Sequence, residues 1–183
     1  MKLDNSVLRE ALSAITKQDV KKHQELLLEL KNKIPHQIIE VHNKTPGNLM
    51  GDEFNCFEFA LDLILSTEYK ACLYYQKGWK VRPVGGNASF AKYLIDNSLL
   101  KEDAKTCDGF NIIIYFDLNG PTHAGKLNSN IVTSKWGSGL LLQHAINEVP
   151  SIYGNEARQY QHLRFDDCID AFIEFAKENG IPY

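Results

Sequence analysis

One cysteine of this sequence stands where a thiol is well placed to act as a nucleophile. Asn55 and Cys56 open a segment that is apolar at nearly every position through residue 65, which predicts a central buried helix capped by Asn55. The unpaired amides of a first helical turn and the helix dipole stabilise a thiolate, so we expect a lowered pKa for Cys56. Cys168 is also predicted near a helix start, but the two aspartates before it would raise its pKa. Cys56 is therefore the candidate nucleophile.

A thiol nucleophile needs a base, and His123 is the histidine that the pattern favours. It lies in the segment Pro-Thr-His-Ala-Gly, just after a turn, where a strand is predicted to begin. It is far from Cys56 in the sequence, as the thiol and the imidazole of a catalytic pair usually are. The sequence thus predicts a Cys56–His123 pair that the fold assembles.

The elements predicted around this pair follow the order helices, strands, helix. Helical periodicity over residues 3–15, and again up to Pro35, predicts a helical hairpin at 1–35 that we interpret as an element appended to the domain. The other predicted elements are a short helix at Ser89–Asn97, strands at 110–116, 123–128 and 131–136, and a last helix from an N-cap at Asp166. Residues 36–183 are therefore expected to form one α+β domain, with the cysteine-bearing helix on an antiparallel β-meander.

Composition excludes several classes of function. The 183 residues carry 20 basic and 23 acidic side chains, without the basic excess that nucleic-acid binding normally needs. The apolar stretches are too short to cross a bilayer, which argues against a membrane protein. No secretory signal is visible, so we expect a cytoplasmic protein or one exported by a route independent of a signal peptide. The four cysteines form no CxxC pair, and we expect neither a metal nor another cofactor.

Three short motifs, taken in order, resemble a known superfamily. They are Asn55-Cys56 at the start of the apolar helix, Asp108-Gly109 before the strand at 112–116, and His123-Ala124-Gly125 at the start of the next strand. Over about residues 50–140 this arrangement is similar to that of the permuted papain-like thiol hydrolases of NlpC type. The later segments Thr-Ser-Lys-Trp-Gly at 133–137, His144 and Tyr153-Gly154 resemble an uncharacterised bacterial branch of papain-like proteins.

The resemblance implies a papain-like core and a third catalytic residue. In that superfamily the residue that orients the histidine lies on the strand after the histidine strand, here 131–136. A serine hydroxyl accepts a hydrogen bond from an imidazole N–H, whereas a lysine ammonium has no acceptor and would lower the histidine pKa. We therefore expect Ser134 in this role. Lys135 stays open because a register shift of one residue exchanges the side chain that faces His123, and His144 is the further alternative.

The activity that the resemblance implies is hydrolysis of an amide by a thiol. Cys56 would attack the carbonyl carbon and His123 would move the proton, while the Cys56 amide and the Asn55 side chain would stabilise the oxyanion. The substrate would be a peptide, an isopeptide or a peptidoglycan stem. Whether the protein also has a protein partner or target stays open. Two alternatives remain: a glutamine deamidase or transglutaminase-like enzyme on the same fold, and a catalytically inactive papain-like binding module.

Overall fold

An antiparallel sheet with helices packed on it organises this chain. The structure is a computed structural model, and it describes residues 1–3, 6–41, 54–70, 85–102, 111–137 and 139–180. Helices and strands both contribute to its core, so the α+β class predicted from the sequence is confirmed.

The described residues form a six-stranded sheet. Its strands are β1 (Ile39–Glu40), β2 (Asn111–Asp117), β3 (Gly120–Asn128), β4 (Ile131–Lys135), β5 (Leu141–Ala145) and β6 (Glu156–Gln161). Their spatial order is β1-β5-β4-β3-β2-β6, and all neighbouring strands run antiparallel. The predicted meander is therefore confirmed as β2, β3 and β4. Strands β1, β5 and β6 were not predicted, because they are short or largely polar and lack a continuous apolar run.

Five helices accompany this sheet in the described ranges, apart from 3-10 turns and a single helical turn at residues 67–70. They are α1 (Ser6–Thr16), α2 (His23–Lys33), α3 (Cys56–Ala60), α4 (Ala88–Asp96) and α5 (Phe165–Glu178). The short helix predicted at 89–97 is confirmed as α4. The last helix begins one residue before the predicted N-cap Asp166, because Arg164 takes the N-cap position.

Side chains alternate between the two faces of the sheet. From β2, Ile112 and Ile114 pack with α4 and α5, whereas Ile113 and Tyr115 belong to a cluster on the opposite face. The apolar stripes of α1 and α2 are buried together with Trp136, and Tyr153 packs against both this cluster and that of Tyr115. The N-terminal hairpin therefore lies on the face opposite α4 and α5. Its interpretation as an appended element stays a prediction.

The central helix is shorter than the sequence predicts. α3 ends at Ala60, Asp62 adopts a left-handed conformation with φ 59, and a 3-10 turn follows at Leu63–Leu65. The Asp62 carboxylate forms ion pairs with Lys126 of β3 and, at 3.1 Å, with His162. These partners hold the residue at which the helix stops. The predicted burial of the segment is confirmed, since Phe57 and Ala60 pack in the main core and Phe59 in a second cluster.

Two glycines with positive φ differ in their surroundings. Gly154 follows the 3-10 turn Ser151–Tyr153 with φ 95 and ψ 176, a conformation that is almost restricted to glycine. A Cβ at this position would lie 2.0 Å from the carbonyl oxygen of Phe116. Gly180, after α5, has φ 66, but nothing lies within 4 Å of a Cβ built there.

We predict that Gly154→Ala lowers the free energy of unfolding by about 3 kcal/mol or more, because backbone strain and overpacking act together. Gly180→Ala is the matched control and should cost only about 1 kcal/mol, for the left-handed backbone alone. Urea denaturation of both variants measures the difference. Equal losses of stability would show that the Phe116 carbonyl yields without cost.

Candidate functional site

A capping box holds the start of α3. The side-chain oxygen of Asn55 accepts hydrogen bonds from the amides of Phe57, at 2.8 Å, and Glu58, at 3.1 Å. The Glu58 carboxylate in turn accepts from the Asn55 amide at 2.6 Å, and it also accepts from the Tyr69 hydroxyl. The predicted N-cap position of Asn55 is confirmed. Its predicted role in stabilising an oxyanion stays a prediction.

The Cys56 thiol lies between α3 and β3. Burial raises the pKa of Cys56 to about 11, although the amide N–H groups of Ala124, Phe57 and Cys56 itself donate to the sulfur and lower it. The Glu58 carboxylate adds to the rise. The expectation of a lowered pKa is therefore wrong, because the loss of water around the sulfur outweighs the helix amides. The Cys56 thiol is therefore protonated at neutral pH.

Cys168 is less exposed than Cys56 and packs in the main hydrophobic core. Its side chain is 1% exposed, and burial raises its pKa to about 12, with a smaller contribution from the Asp62 carboxylate. The predicted direction is thus confirmed, but the cause is burial and not the two aspartates that precede it in the sequence.

His123 is a buried, neutral imidazole on β3. It lies opposite Tyr115 of β2 and is 1% exposed. Its ring stacks on Tyr153 with ring centroids 3.9 Å apart and an angle of 5° between the planes. Nε2 has no hydrogen-bond partner among the described residues. Burial, and to a smaller extent the neighbouring His144, holds the pKa of His123 well below its usual range.

The packing of α3 on β3 brings Cys56 close to the histidine strand. β4 pairs with β3 only between Gly125 and Asn128, so the part of β3 at His123 and Ala124 lies beyond that ladder. At this point the Ala124 amide, one residue from His123, contacts the Cys56 sulfur. The two predicted catalytic residues therefore approach the same end of β3, although 67 positions, by the subtraction 123 − 56, separate them in the sequence.

Ser134 belongs to a closed hydrogen-bond network on the face of the sheet that carries His123. Trp136 Nε1 donates to Ser134 Oγ at 3.0 Å, and Ser134 Oγ lies 2.8 Å from His144 Nε2. His144 Nδ1 lies 2.8 Å from the carbonyl oxygen of Ala145, so Nδ1 carries the proton and Nε2 accepts from the serine. Burial lowers the pKa of His144 to about 4, which keeps this imidazole neutral.

Neither Ser134 nor the two alternatives forms a hydrogen bond to His123 within the part of the chain that the structure describes. The Lys135 ammonium donates to the carbonyl oxygens of Gly137 and Gly139, at 3.1 and 2.9 Å. Alternation along β4 turns Lys135 to the face opposite Ser134. The identity of the third catalytic residue therefore stays a prediction.

Tyr153 is the residue of this site to which the sequence analysis assigned no role. Tyr153 stacks on His123, and burial, together with the nearby Cys56, raises the pKa of its hydroxyl. The Gly137 amide donates to the hydroxyl oxygen and offsets part of this rise. The sequence marks this position only as a tyrosine before a glycine. Nothing in the local pattern indicates that its ring covers a histidine 30 residues earlier by the subtraction 153 − 123.

Some predicted features fall outside the described residues. They are Cys72, Cys107 and the Asp108-Gly109 turn.

The comparison with known protein families assigns the chain. A domain of unknown function, DUF7689, matches residues 50–161, which is more than half of the sequence and includes Cys56, His123 and Tyr153. The chain belongs to the DUF7689 family. The DUF7689 segment starts after the N-terminal hairpin and ends with β6. No curated protein and no solved structure matches the chain.

Two further findings concern the described residues of this DUF7689 member. None of the helices described is both long and apolar enough to cross a membrane. In the same ranges, no group of three or more histidine, cysteine, aspartate or glutamate side chains is arranged to hold a metal ion.

We predict that iodoacetamide modifies Cys56 before Cys168 in the native protein. The Cys56 residue is partly exposed, whereas Cys168 is 1% exposed, so the reagent reaches the Cys56 side chain more readily. Peptide mapping after limited labelling measures the order. Cys56→Ser should remove the early adduct and Cys168→Ser should leave it. Earlier labelling of Cys168 would contradict the burial pattern described here.

We also predict that acid destabilises the protein through its buried histidines. The folded pKa of His144, about 4, lies below its usual value of 6.5, so its contribution is present above pH 6.5 and is lost as the pH falls toward 4. This contribution is about 3 kcal/mol, and His123 acts in the same direction.

The measurement is the free energy of unfolding of the native protein and of His144→Gln between pH 7 and pH 4.5. The variant should lose less stability over this range, because it has one buried imidazole fewer to protonate. His162→Gln is the control: Asp62 raises the pKa of His162, so this pair contributes below pH 6.5 and the variant should become more sensitive to acid. Identical slopes for both variants would contradict the assignment.

Proposed function

We propose that this protein is a thiol-dependent amide hydrolase of papain-like type, with Cys56 as nucleophile and His123 as base. The observation that supports it best is a buried imidazole whose Nε2 has no hydrogen-bond partner among the described residues, next to a strand residue whose amide contacts the cysteine sulfur. A buried polar nitrogen without a partner is costly, and a binding or catalytic role for it explains that cost. The cysteine-bearing helix on an antiparallel meander is the arrangement expected of a papain-like core.

The proposed pair rests as neutral thiol and neutral imidazole. Both groups are in the required protonation state between the low pKa of His123 and the Cys56 pKa of about 11. In the reaction, His123 takes the proton of Cys56 as the sulfur bonds to the amide carbonyl carbon. The C–N bond then breaks and the amine leaves with that proton, which leaves a thioester on Cys56. Water hydrolyses the thioester, releases the acid and restores the thiol.

Backbone amides would stabilise the negative charge in this reaction. The N–H groups of Ala124, Phe57 and Cys56 converge on the sulfur, and they lie in a site with little water. Fixed donors of this kind are most effective where water is excluded, because they need no reorganisation. The Asn55 side chain remains a candidate contributor.

A second function, a non-catalytic binding module, is favoured by one observation. The Cys56 pKa of about 11 is that of a buried, unreactive thiol. His123 is neutral, so it does not form a resting ion pair with Cys56 that would lower the pKa of the thiol. A protein that used the same groove only for binding would need no thiolate. A glutamine deamidase or transglutaminase-like activity would use the same acyl transfer with a different acyl donor or acceptor.

The test uses p-nitrophenyl acetate as an acyl donor and follows acylation of Cys56 by mass spectrometry. If His123 assists, the rate should be nearly independent of pH between about 6 and 9, and His123→Ala should lower it by about 100-fold or more. Cys168→Ser and His162→Gln are the controls, and both should acylate at the native rate. A rate that rises about tenfold per pH unit and ignores His123→Ala is that of an isolated thiol, and it would overturn the enzyme proposal.

A second experiment separates hydrolysis from acyl transfer. The protein is incubated with a peptide library that contains glutamine, with and without methylamine. A hydrolase cleaves peptide bonds in both samples and fails in Cys56→Ala. Release of ammonia with the peptide backbone intact would replace hydrolysis by the glutamine-directed alternative.

A further inference from the structure

We propose that the N-terminal helix α1 completes the site: Arg9 and Ser13 act as positioning residues that hold Tyr153 over the imidazole of His123. This inference rests on the proposed function for its catalytic meaning, although the contacts that carry it are independent of any reaction. It assigns to the N-terminal hairpin a part in the site, in place of a separate appended role.

The His123 ring is oriented by contacts with aromatic side chains. A catalytic histidine is usually fixed by a hydrogen bond from one ring nitrogen to an acceptor. Here Nε2 has no partner among the described residues, and aromatic contacts set the plane of the ring. Tyr153 lies flat on it at 3.9 Å, and the Tyr115 ring lies 5.7 Å away at an angle of 42°. Displacement of Tyr153 would therefore both release the ring and expose it to water.

Tyr153 is held through its own backbone and through the residues on either side of it. It ends the 3-10 turn Ser151–Tyr153 between β5 and β6, and its carbonyl oxygen accepts from the Thr122 hydroxyl at 2.5 Å. The flanking residues are bound from α1. Arg9 Nε donates to the Val149 carbonyl at 3.1 Å, and its two terminal nitrogens donate to the side-chain oxygen of Asn155, at 3.1 Å, and to the Gly154 carbonyl.

Ser13 adds a second attachment one helical turn later. Its hydroxyl oxygen accepts from the Ile152 amide at 3.1 Å and lies 2.9 Å from the Ser151 hydroxyl. Arg9 and Ser13 therefore bind residues on both sides of Tyr153, from Val149 to Asn155. No element of the DUF7689 segment described here makes as many hydrogen bonds to residues 149–155.

The buried charge of Arg9 makes its hydrogen bonds to the turn depend on one another. Arg9 is 3% exposed, and its three described acceptors are two carbonyls and an amide oxygen, none of them a carboxylate. A buried guanidinium is costly unless its donors are satisfied, so these bonds fail together when the turn moves away. A charge placed in this way restricts residues 149–155 to one arrangement. Arg9 and Ser13 lie outside the family match at 50–161, whereas the groups of residues 149–155 that they bind lie inside it.

The test follows the ring signals of His123 by NMR during a pH titration of the full chain. In the native protein, His123 should stay neutral until acid unfolds the chain. In Tyr153→Leu and in Arg9→Met its midpoint should rise by at least about one pH unit toward 6.5, because water reaches the ring. His144, held by Ser134 and Ala145, is the internal standard and should not move. Tyr153→Phe keeps the stacked ring and should behave like the native protein.

Leu27→Ala is the matched control for lost stability. Leu27 is buried in α2 in the same cluster as α1, and its side chain has no hydrogen bond to remove. It should destabilise the hairpin without changing the titration of His123. If Arg9→Met does not fold, Ser13→Ala removes the smaller attachment and should move the His123 midpoint in the same direction.

The inference is overturned if His123 titrates as in the native chain in both the Tyr153 and the α1 variants, or if Leu27→Ala moves it equally. The outcome is distinguishable from failure of the proposed function. If the His123 midpoint shifts in the Tyr153 and α1 variants but His123→Ala does not slow acylation of Cys56, the positioning role is retained and the enzyme proposal is rejected. Acylation that depends on His123 but is unchanged in Arg9→Met retains the enzyme and rejects the positioning role.

Discussion

The packing of the start of α3 against β3 governs the other features of this structure. It directs the Ala124 amide at the Cys56 sulfur and removes the thiol from water at the same time. The two effects oppose each other, since amides stabilise a thiolate and burial disfavours it. Burial is the larger, so the thiol stays protonated at neutral pH. The imidazole on the same strand is neutral for the same reason. If the protein is the proposed hydrolase, charge forms in this site only during the reaction.

The shape of α3 follows from a polar cluster on the other side of the helix. Asp62 leaves the helical conformation and binds Lys126 of β3 and His162, which precedes α5. The cysteine is thereby held at one end of a five-residue helix while the other end is fastened to the sheet and to the C-terminal helix. A longer helix would carry Asp62 away from these two partners.

The opposite face of the sheet depends on a buried guanidinium. Arg9 reaches from α1 to the carbonyls of residues 149 and 154, and the turn between them presents Tyr153 to His123. Next to it, Trp136, Ser134 and His144 satisfy one another's polar atoms, so that this network packs as a rigid wall. His123 stands between these groups, and its Nε2 has no hydrogen-bond partner among the residues that the structure describes.

The local features of this protein follow from patterns within short stretches of its sequence. Short-range patterns predicted the N-cap at Asn55, the meander of β2, β3 and β4, a short helix at residues 89–97 where the structure has α4, and the burial of Phe57 and Ala60, because capping, turn formation and apolar periodicity act between near neighbours. They also selected Cys56 and His123 as a pair. They did not indicate the length of α3, since that helix stops where Asp62 binds Lys126 and His162, which are both far away in the sequence.

The protonation states of the site residues, and the residues that surround them, depend on how the chain folds. The pKa of Cys56 depends on how much water the packing of α3 on β3 leaves around the sulfur, a quantity that no local pattern carries. The cover over His123 comes from Tyr153, whose position is set by Arg9 and Ser13 from the far end of the chain. Ser134 faces His144 and Trp136 because of strand register. Burial and long-range register are properties of the folded chain, so the chemistry of this site was fixed only when its distant segments met.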